Sequence, residues 1–285
     1  MLVIGTGAVA SFLVPRLRAG GGFVQLFGSS SPRLRALSSE PGDVAFTASR
    51  VAEHDAWLIV CKTYQNGERV QQLALAPRPG RVLVLQNGFE PEADWAACAE
   101  AVERGLLTYG LASVGPGRSV GGERGEVLLG RGSPWAPVLR SAGLKVREVE
   151  DIRSAVWWKL IVNASLNVVA ALGGWPNGEV LEQPSACRQA ERVALEVAGL
   201  ARRVGVAIGD EEAVAALESV ARATSSNVCS TLADLRGGRP TEYDAINGAL
   251  LRLAHGLGFE TPALLEIDQQ FRLHLDSLPS QQAAS

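Results

Sequence analysis

Leu2-Val3-Ile4-Gly5-Thr6-Gly7-Ala8-Val9-Ala10-Ser11 is the stretch that decides the fold of this chain. Three apolar residues read as a short strand, the glycines as a tight turn, and Ser11 to Arg18 as the helix that follows. In such a turn the first glycine permits the bend and the second lets backbone approach a pyrophosphate. The third position takes a small residue where helix packs on strand. Gly5, Gly7 and Ala10 meet these demands. Phosphate is favoured at the helix N-terminus, where N–H groups without helical partners and the helix dipole attract negative charge. The segment Gly5, Thr6, Gly7, Ala8, Val9 and Ala10 is therefore the expected dinucleotide-binding turn.

Working outward, Phe23–Phe27 reads as a second strand, arriving about twenty residues after the first glycine, the length of a tight β-α-β unit. Strands are expected at Val44–Thr47, Ala56–Cys61 and Arg81–Gln86, a helix at Glu92–Glu103, and strands again at Leu106–Val114, Glu126–Leu129 and Leu144–Val149. Their β-branched, apolar character suits a sheet covered on both faces. Beyond residue 150 long helical periodicity takes over, broken at Gly173-Gly174, Pro176-Asn177-Gly178, Gly209-Asp210 and Gly237-Gly238. The expected organisation is an α/β domain of Rossmann type over residues 1–150 and an all-α domain over 151–285, with a disordered tail at Gln281–Ser285.

The 285 residues exceed the usual size of one domain, and 47% hydrophobic with 20% charged residues is ordinary globular composition. A net charge of −3 gives no reason to expect a nucleic-acid partner. Cys61, Cys98, Cys187 and Cys229 form no CxxC pair, and only three histidines are present, so reduced thiols and no metal site are expected. No apolar run is read as long enough to span a membrane, and no basic segment precedes an apolar stretch at the start. The expected setting is the cytoplasm, with a small molecule as partner.

No Asp or Glu ends the second strand to hold a ribose 2′-hydroxyl, as NAD sites usually require. Phe27 is followed instead by Gly28, Ser29, Ser30, Ser31, Pro32 and Arg33. Those hydroxyls and the cation suit a 2′-phosphate, which favours NADPH. The serine run also reads as an ordinary solvated loop.

On the helix from Asp151, Lys159, Asn163 and Asn167 recur every four residues and share one face, within an arc of roughly 80°. Apolar residues flank that face, so its polar groups need partners or a ligand. A lysine lowered in pKa by burial can serve as general acid to a forming alkoxide, with asparagines orienting a carbonyl substrate. Asn227, Ser230 and Asp234 read as a second polar face. Thr241 and Glu242 read equally as an N-cap with a first-turn acid and as functional groups.

Taken together, Gly5-Thr6-Gly7-Ala8, Cys61-Lys62-Thr63, Gln86-Asn87-Gly88, Trp158-Lys159-Leu160 running to Pro176-Asn177-Gly178-Glu179, and Ser230 through Thr241–Gly248 resemble the ketopantoate reductase family across nearly the whole chain. The chain departs from the family pattern at Gln86 and at Gly28, where a basic residue is expected. The resemblance implies a helical domain like the C-terminal domain of 6-phosphogluconate dehydrogenase, and reduction of ketopantoate by NADPH. It makes Lys159 the proton donor, with Asn163, Asn167, Asn177 and Ser230 contacting substrate, Ser230 at its carboxylate. Lys62, Asn87, Ser113 and Glu242 match positions that line the cofactor or the cleft between the domains, though Lys62 also reads as a surface lysine. A homodimer is implied at the family level.

Family paralogues act on other 2-keto acids, and a β-hydroxyacid or opine-type dehydrogenase shares the glycine turn. That alternative does not predict the Asn177-Gly178-Glu179 and Thr241–Gly248 islands. A non-catalytic NADP sensor has no need of Lys159 and its asparagines.

Overall fold

The computed structural model describes residues 1–28, 32–39 and 41–278. The expected tail at Gln281–Ser285 lies outside the described residues. The chain divides into two compact units, Met1–Ile152 and Arg153–Ser285.

The first unit opens with β1 (Leu2–Ile4), α1 (Ala8–Ala19), β2 (Gln25–Phe27), α2 (Pro32–Leu37), β3 (Val44–Ala45), β4 (Ala56–Ile59), α3 (Asn66–Leu73), β5 (Arg81–Val84) and β6 (Ala101–Arg104). These six strands form one parallel sheet in the order β3-β2-β1-β4-β5-β6. The order reverses between β1 and β4, and in doubly wound sheets the ligand crevice opens at the carboxyl ends of the strands flanking such a switch point. Alternation along the strands explains why both faces are covered. Val3, Leu26, Leu58 and Leu83 meet Phe12, Leu13 and Leu17 of α1, together with Trp135 and Leu139. Leu2, Ile4, Trp57, Ile59, Val82 and Val84 meet Leu73 and Trp95 on the other side.

Beyond this sheet come β7 (Leu106–Leu107), the antiparallel hairpin β8 (Leu111–Gly115) and β9 (Arg118–Gly121), then β10 (Val127–Gly130), α4 (Trp135–Ser141) and β11 (Val146–Val149). β10 pairs parallel with β11 and antiparallel with β7. Two expectations are corrected. Leu106–Val114 is two strands, because Thr108 leaves the line and bonds Glu126 through both its backbone N–H and its hydroxyl. Glu92–Glu103 is a 3₁₀ turn at Pro91–Trp95 followed by β6, not a helix. Trp95 and Ala99, four apart and both buried, mimic a helical stripe. Ala101–Arg104 instead completes its backbone bonds by pairing with Arg81–Val84.

The second unit is built on α5 (Ile152–Gly173), α6 (Glu179–Glu182), α7 (Pro184–Arg203), α8 (Asp210–Ala223), α9 (Ser230–Arg236), a π-helical turn at Asp244–Gly248, α10 (Ala249–Gly256) and α11 (Pro262–Ser277). The glycines read as breaks fall at helix ends: Gly173 closes α5, Gly209 precedes α8 and Gly237 caps α9. By length and composition α5 is long and apolar enough to cross a membrane, which corrects the expectation that no run reaches that length. More than half of it is buried, as in the core helix of a helical domain.

Candidate active site

In the first unit the glycine turn has the stereochemistry its sequence requires. Gly5 sits at φ +135°, and a Cβ there would lie 2.6 Å from the Cys61 nitrogen and 2.8 Å from the Val60 carbonyl carbon. Only glycine fits, for both reasons. Gly7, at φ −82°, is the N-cap of α1, and a Cβ on it would meet nothing within 4 Å. That open space beside an uncapped helix N-terminus with no acid in its first turn is a cradle for a diphosphate. Ala10, fully buried, is the small residue where α1 meets the sheet. The residues present therefore fit a dinucleotide.

The close approach of Gly5 to Cys61 brings the Cys61-Lys62-Thr63 island beside the turn. The third island joins through Gln86, whose Nε2 donates to the Cys61 carbonyl at 2.8 Å. Lys62 and Asn87 are both half-buried there. At the end of β2, a Cβ on Gly28 would lie 3.2 Å from the Thr6 methyl, so the second strand ends against the glycine turn with no acidic side chain. Arg18 of α1 holds the segment that follows by donating to the Leu37 carbonyl at 2.6 Å and to Asp43 at 2.9 Å. Ser29, Ser30 and Ser31 lie outside the described residues, and Arg33 stands half-buried on α2. Ser113 is half-buried on the hairpin that packs on α1, and its hydroxyl donates within that hairpin to the Gly115 carbonyl at 3.4 Å.

In the second unit the polar row on α5 is present. Lys159 and Asn163 are half-buried and Asn167 is 9% exposed, and Asn167 Nδ2 donates to Asn163 Oδ1 at 3.0 Å. Two other elements reach this row. Cys229 is the N-cap of α9: its sulfur accepts from the Leu232 N–H, and its thiol donates to the Asn167 carbonyl at 3.3 Å. Ser230, exposed, thereby begins α9 next to the tie to Asn167. From the π-helical turn, Asn247, 1% exposed, donates to the Ala164 carbonyl at 2.9 Å, between the two asparagines in sequence. π-Helical turns are frequent at functional sites.

Glu242 is buried, at 8% exposure. The Thr241 hydroxyl does accept from the Tyr243 N–H at 3.4 Å, as an N-cap should. Tyr243 fastens the segment to α11: its hydroxyl donates to Asp268 at 3.0 Å and its ring stacks on Phe271 at 4.1 Å. Burial, and then the Asp268 carboxylate, push the Tyr243 phenol far above its usual range, so it stays a donor. Burial likewise raises the Cys229 thiol, keeping it protonated for its bond to Asn167.

Asn177 is 7% exposed and knits two loops together. Its backbone N–H donates to the Asn227 carbonyl at 3.0 Å and its Nδ2 to the Thr224 hydroxyl at 2.8 Å, leaving Oδ1 buried without a protein partner. Asn227 does not share a helical face with Ser230 and Asp234, because α9 starts only at Ser230. Asp234 turns to Arg239 at 3.0 Å. Sequence reasoning missed Cys229, read as plain packing, and gave Asn247 no role. Cysteine is not among the usual capping residues, and the Asn247 tie spans 83 positions. Cys229→Val, which removes both sulfur bonds, is expected to lower the stability of the protein by about 1–2 kcal/mol in urea unfolding. Cys229→Ser should stay near wild type; equal stability of the two variants would contradict the capping role.

Comparison with known proteins shows the family of the chain. The family model described as ketopantoate reductase PanE/ApbA matches residues 1–134, and that of the ketopantoate reductase C terminal matches 151–273. The 2-dehydropantoate 2-reductase of Pyrobaculum aerophilum is 31% identical over 264 residues, 91% of this chain and 92% of that protein. That of Archaeoglobus fulgidus is 29% identical over 274 residues, 90% and 92% respectively. Among solved structures, a D-mandelate dehydrogenase with NADH and anilino(oxo)acetate superposes with a TM-score of 0.87 at 21% identity, covering 97% of this chain and 99% of that one.

Proposed function

Because the chain belongs to the ketopantoate reductase family, we propose that it reduces a small 2-keto acid, 2-dehydropantoate, to the 2-hydroxy acid pantoate with NADPH. The observation that carries this reading is the polar row Lys159, Asn163 and Asn167, with Cys229, which precedes Ser230, bonded to the Asn167 carbonyl and Asn247 bonded to the neighbouring Ala164 carbonyl. When bound, the dinucleotide supplies the hydride that adds to C2 of the ketone. Lys159 gives its proton to the ketone oxygen, so that one hydride and one proton make the alcohol. Asn163 and Asn167 orient the carbonyl by hydrogen bonding, and the Ser230 hydroxyl donates to the carboxylate. The buried Oδ1 of Asn177, which has no protein partner, can accept from a substrate hydroxyl. Gly5 through Ala10 hold the diphosphate, and Lys62, Asn87, Ser113 and Glu242 complete the dinucleotide side of the reading.

NADPH is favoured over NADH because β2 ends in Phe27-Gly28 without a carboxylate, while Arg33 and Arg35 follow on α2. The likeness to a mandelate dehydrogenase holding NADH supports a second reading, a bulkier 2-keto acid reduced with NADH. The deciding experiment offers ketopantoate and phenylglyoxylate, each with NADPH and with NADH, and follows loss of nicotinamide absorbance. Fastest turnover of ketopantoate with NADPH is expected. Preference for phenylglyoxylate with NADH would establish the second reading, and tight NADPH binding with no turnover of any 2-keto acid would identify a sensor.

A further inference from the structure

We infer that Gln86 and Asn66 form a buried positioning pair that sets the segments carrying Lys62 and Asn87 at the carboxyl ends of β4 and β5; the inference rests on the dinucleotide site proposed above. Asn66 is 1% and Gln86 4% exposed. Their carboxamides face each other and exchange two hydrogen bonds: Asn66 Nδ2 donates to Gln86 Oε1 at 3.1 Å, and Gln86 Nε2 donates to Asn66 Oδ1 at 2.6 Å. The remaining groups are also occupied. Gln86 Nε2 donates to the Cys61 carbonyl at 2.8 Å, and Asn66 Nδ2 donates to Asp94 Oδ2 at 2.8 Å.

Buried carboxamides are tolerated when their hydrogen bonds are met, and a satisfied polar network fixes a single arrangement. Here the arrangement sits where the parallel ladders end, after the Val60 N–H donates to the Ile4 carbonyl and the Leu85 N–H to the Ile59 carbonyl. Gln86 supplies a donor to the next carbonyl, that of Cys61. Lys62 follows Cys61 directly, Asn87 follows Gln86 directly, and the Cys61 backbone is what Gly5 abuts. One hub therefore sets three segments of the proposed dinucleotide site while touching no ligand itself. Asn66 starts α3, so the helix is anchored to the same point.

The test measures NADPH binding by nicotinamide fluorescence, together with the steady-state constants and the folding of the protein without cofactor. Gln86→Leu is expected to weaken NADPH binding roughly 10- to 100-fold, as small misplacements of binding groups do, with kcat at saturating NADPH within about threefold of wild type. Asn66→Leu should do the same, and the double variant should bind no more weakly than either single one, because the two side chains act as a unit. Should Gln86→Leu fail to fold, Gln86→Glu keeps the shape while removing the donor to Cys61, and the same loss of NADPH binding is expected. Binding within about twofold of wild type in a folded variant, or losses that multiply in the double variant, would overturn the inference. Wild-type protein that binds neither NADPH nor NADH would overturn the dinucleotide site and this inference with it.

Discussion

Lys159→Ala is expected to lower kcat on the order of 100- to 10,000-fold, the range that a positioned general acid contributes, while NADPH binding stays within about twofold of wild type. The side chain sits half-buried one helical turn before the bonded pair Asn163 and Asn167, on a helix whose Ala164 and Asn167 carbonyls accept from Asn247 and Cys229. Alanine is the best helix former, so α5 keeps its form and its buried apolar residues. Lys159 is assigned to proton transfer and not to holding the dinucleotide, so NADPH affinity should not follow the loss of the amine. Stopped-flow absorbance with NADPH and a fluorescence titration separate the two quantities. A variant turning over at the wild-type rate would remove Lys159 from the chemistry.

The second large effect is a contrast between two glycines in one turn. Gly5→Ala forces an L side chain to φ +135° and places its Cβ 2.6 Å from a backbone nitrogen that cannot yield. The strain and the clash together should cost on the order of 3 kcal/mol or more, read by urea unfolding without any ligand. Gly7→Ala meets no neighbour and keeps an ordinary φ of −82°. The poorer N-cap and the stiffer unfolded chain offset one another, so stability should stay within about 1 kcal/mol of wild type. Its methyl group nevertheless fills the space through which backbone must approach the diphosphate, and NADPH binding should weaken roughly 10- to 100-fold. Unchanged NADPH affinity in folded Gly7→Ala would contradict the placement of the cofactor.

The sequence carried the parts of this molecule whose physics is local. Gly5 and Gly7 between a three-residue strand and a helix announce the turn, and short apolar runs announce the strands at Ala56–Ile59 and Arg81–Val84. The Lys159, Asn163 and Asn167 row is legible because a four-residue spacing places side chains on one helical face. What was not legible depends on partners distant in the chain. β6 is a strand because Arg81–Val84 offers it a ladder, not because Ala101–Arg104 prefers extended backbone. The π-helical turn at Asp244–Gly248 leaves no mark in composition, and its anchor, the Ala164 carbonyl, lies on α5. Gln86 stood out only as a departure from the family pattern; its meaning needs Asn66, twenty positions earlier, at hydrogen-bonding distance.

Hydride transfer from NADPH to C2 of a 2-keto acid is tested most directly by a single-turnover experiment with NADPH carrying deuterium in both positions of the reactive nicotinamide carbon. With ketopantoate and the wild-type protein, pantoate carrying deuterium at C2 is expected, formed far more slowly by Lys159→Ala. Unlabelled pantoate, or consumption of NADPH with no 2-hydroxy acid formed, would contradict it.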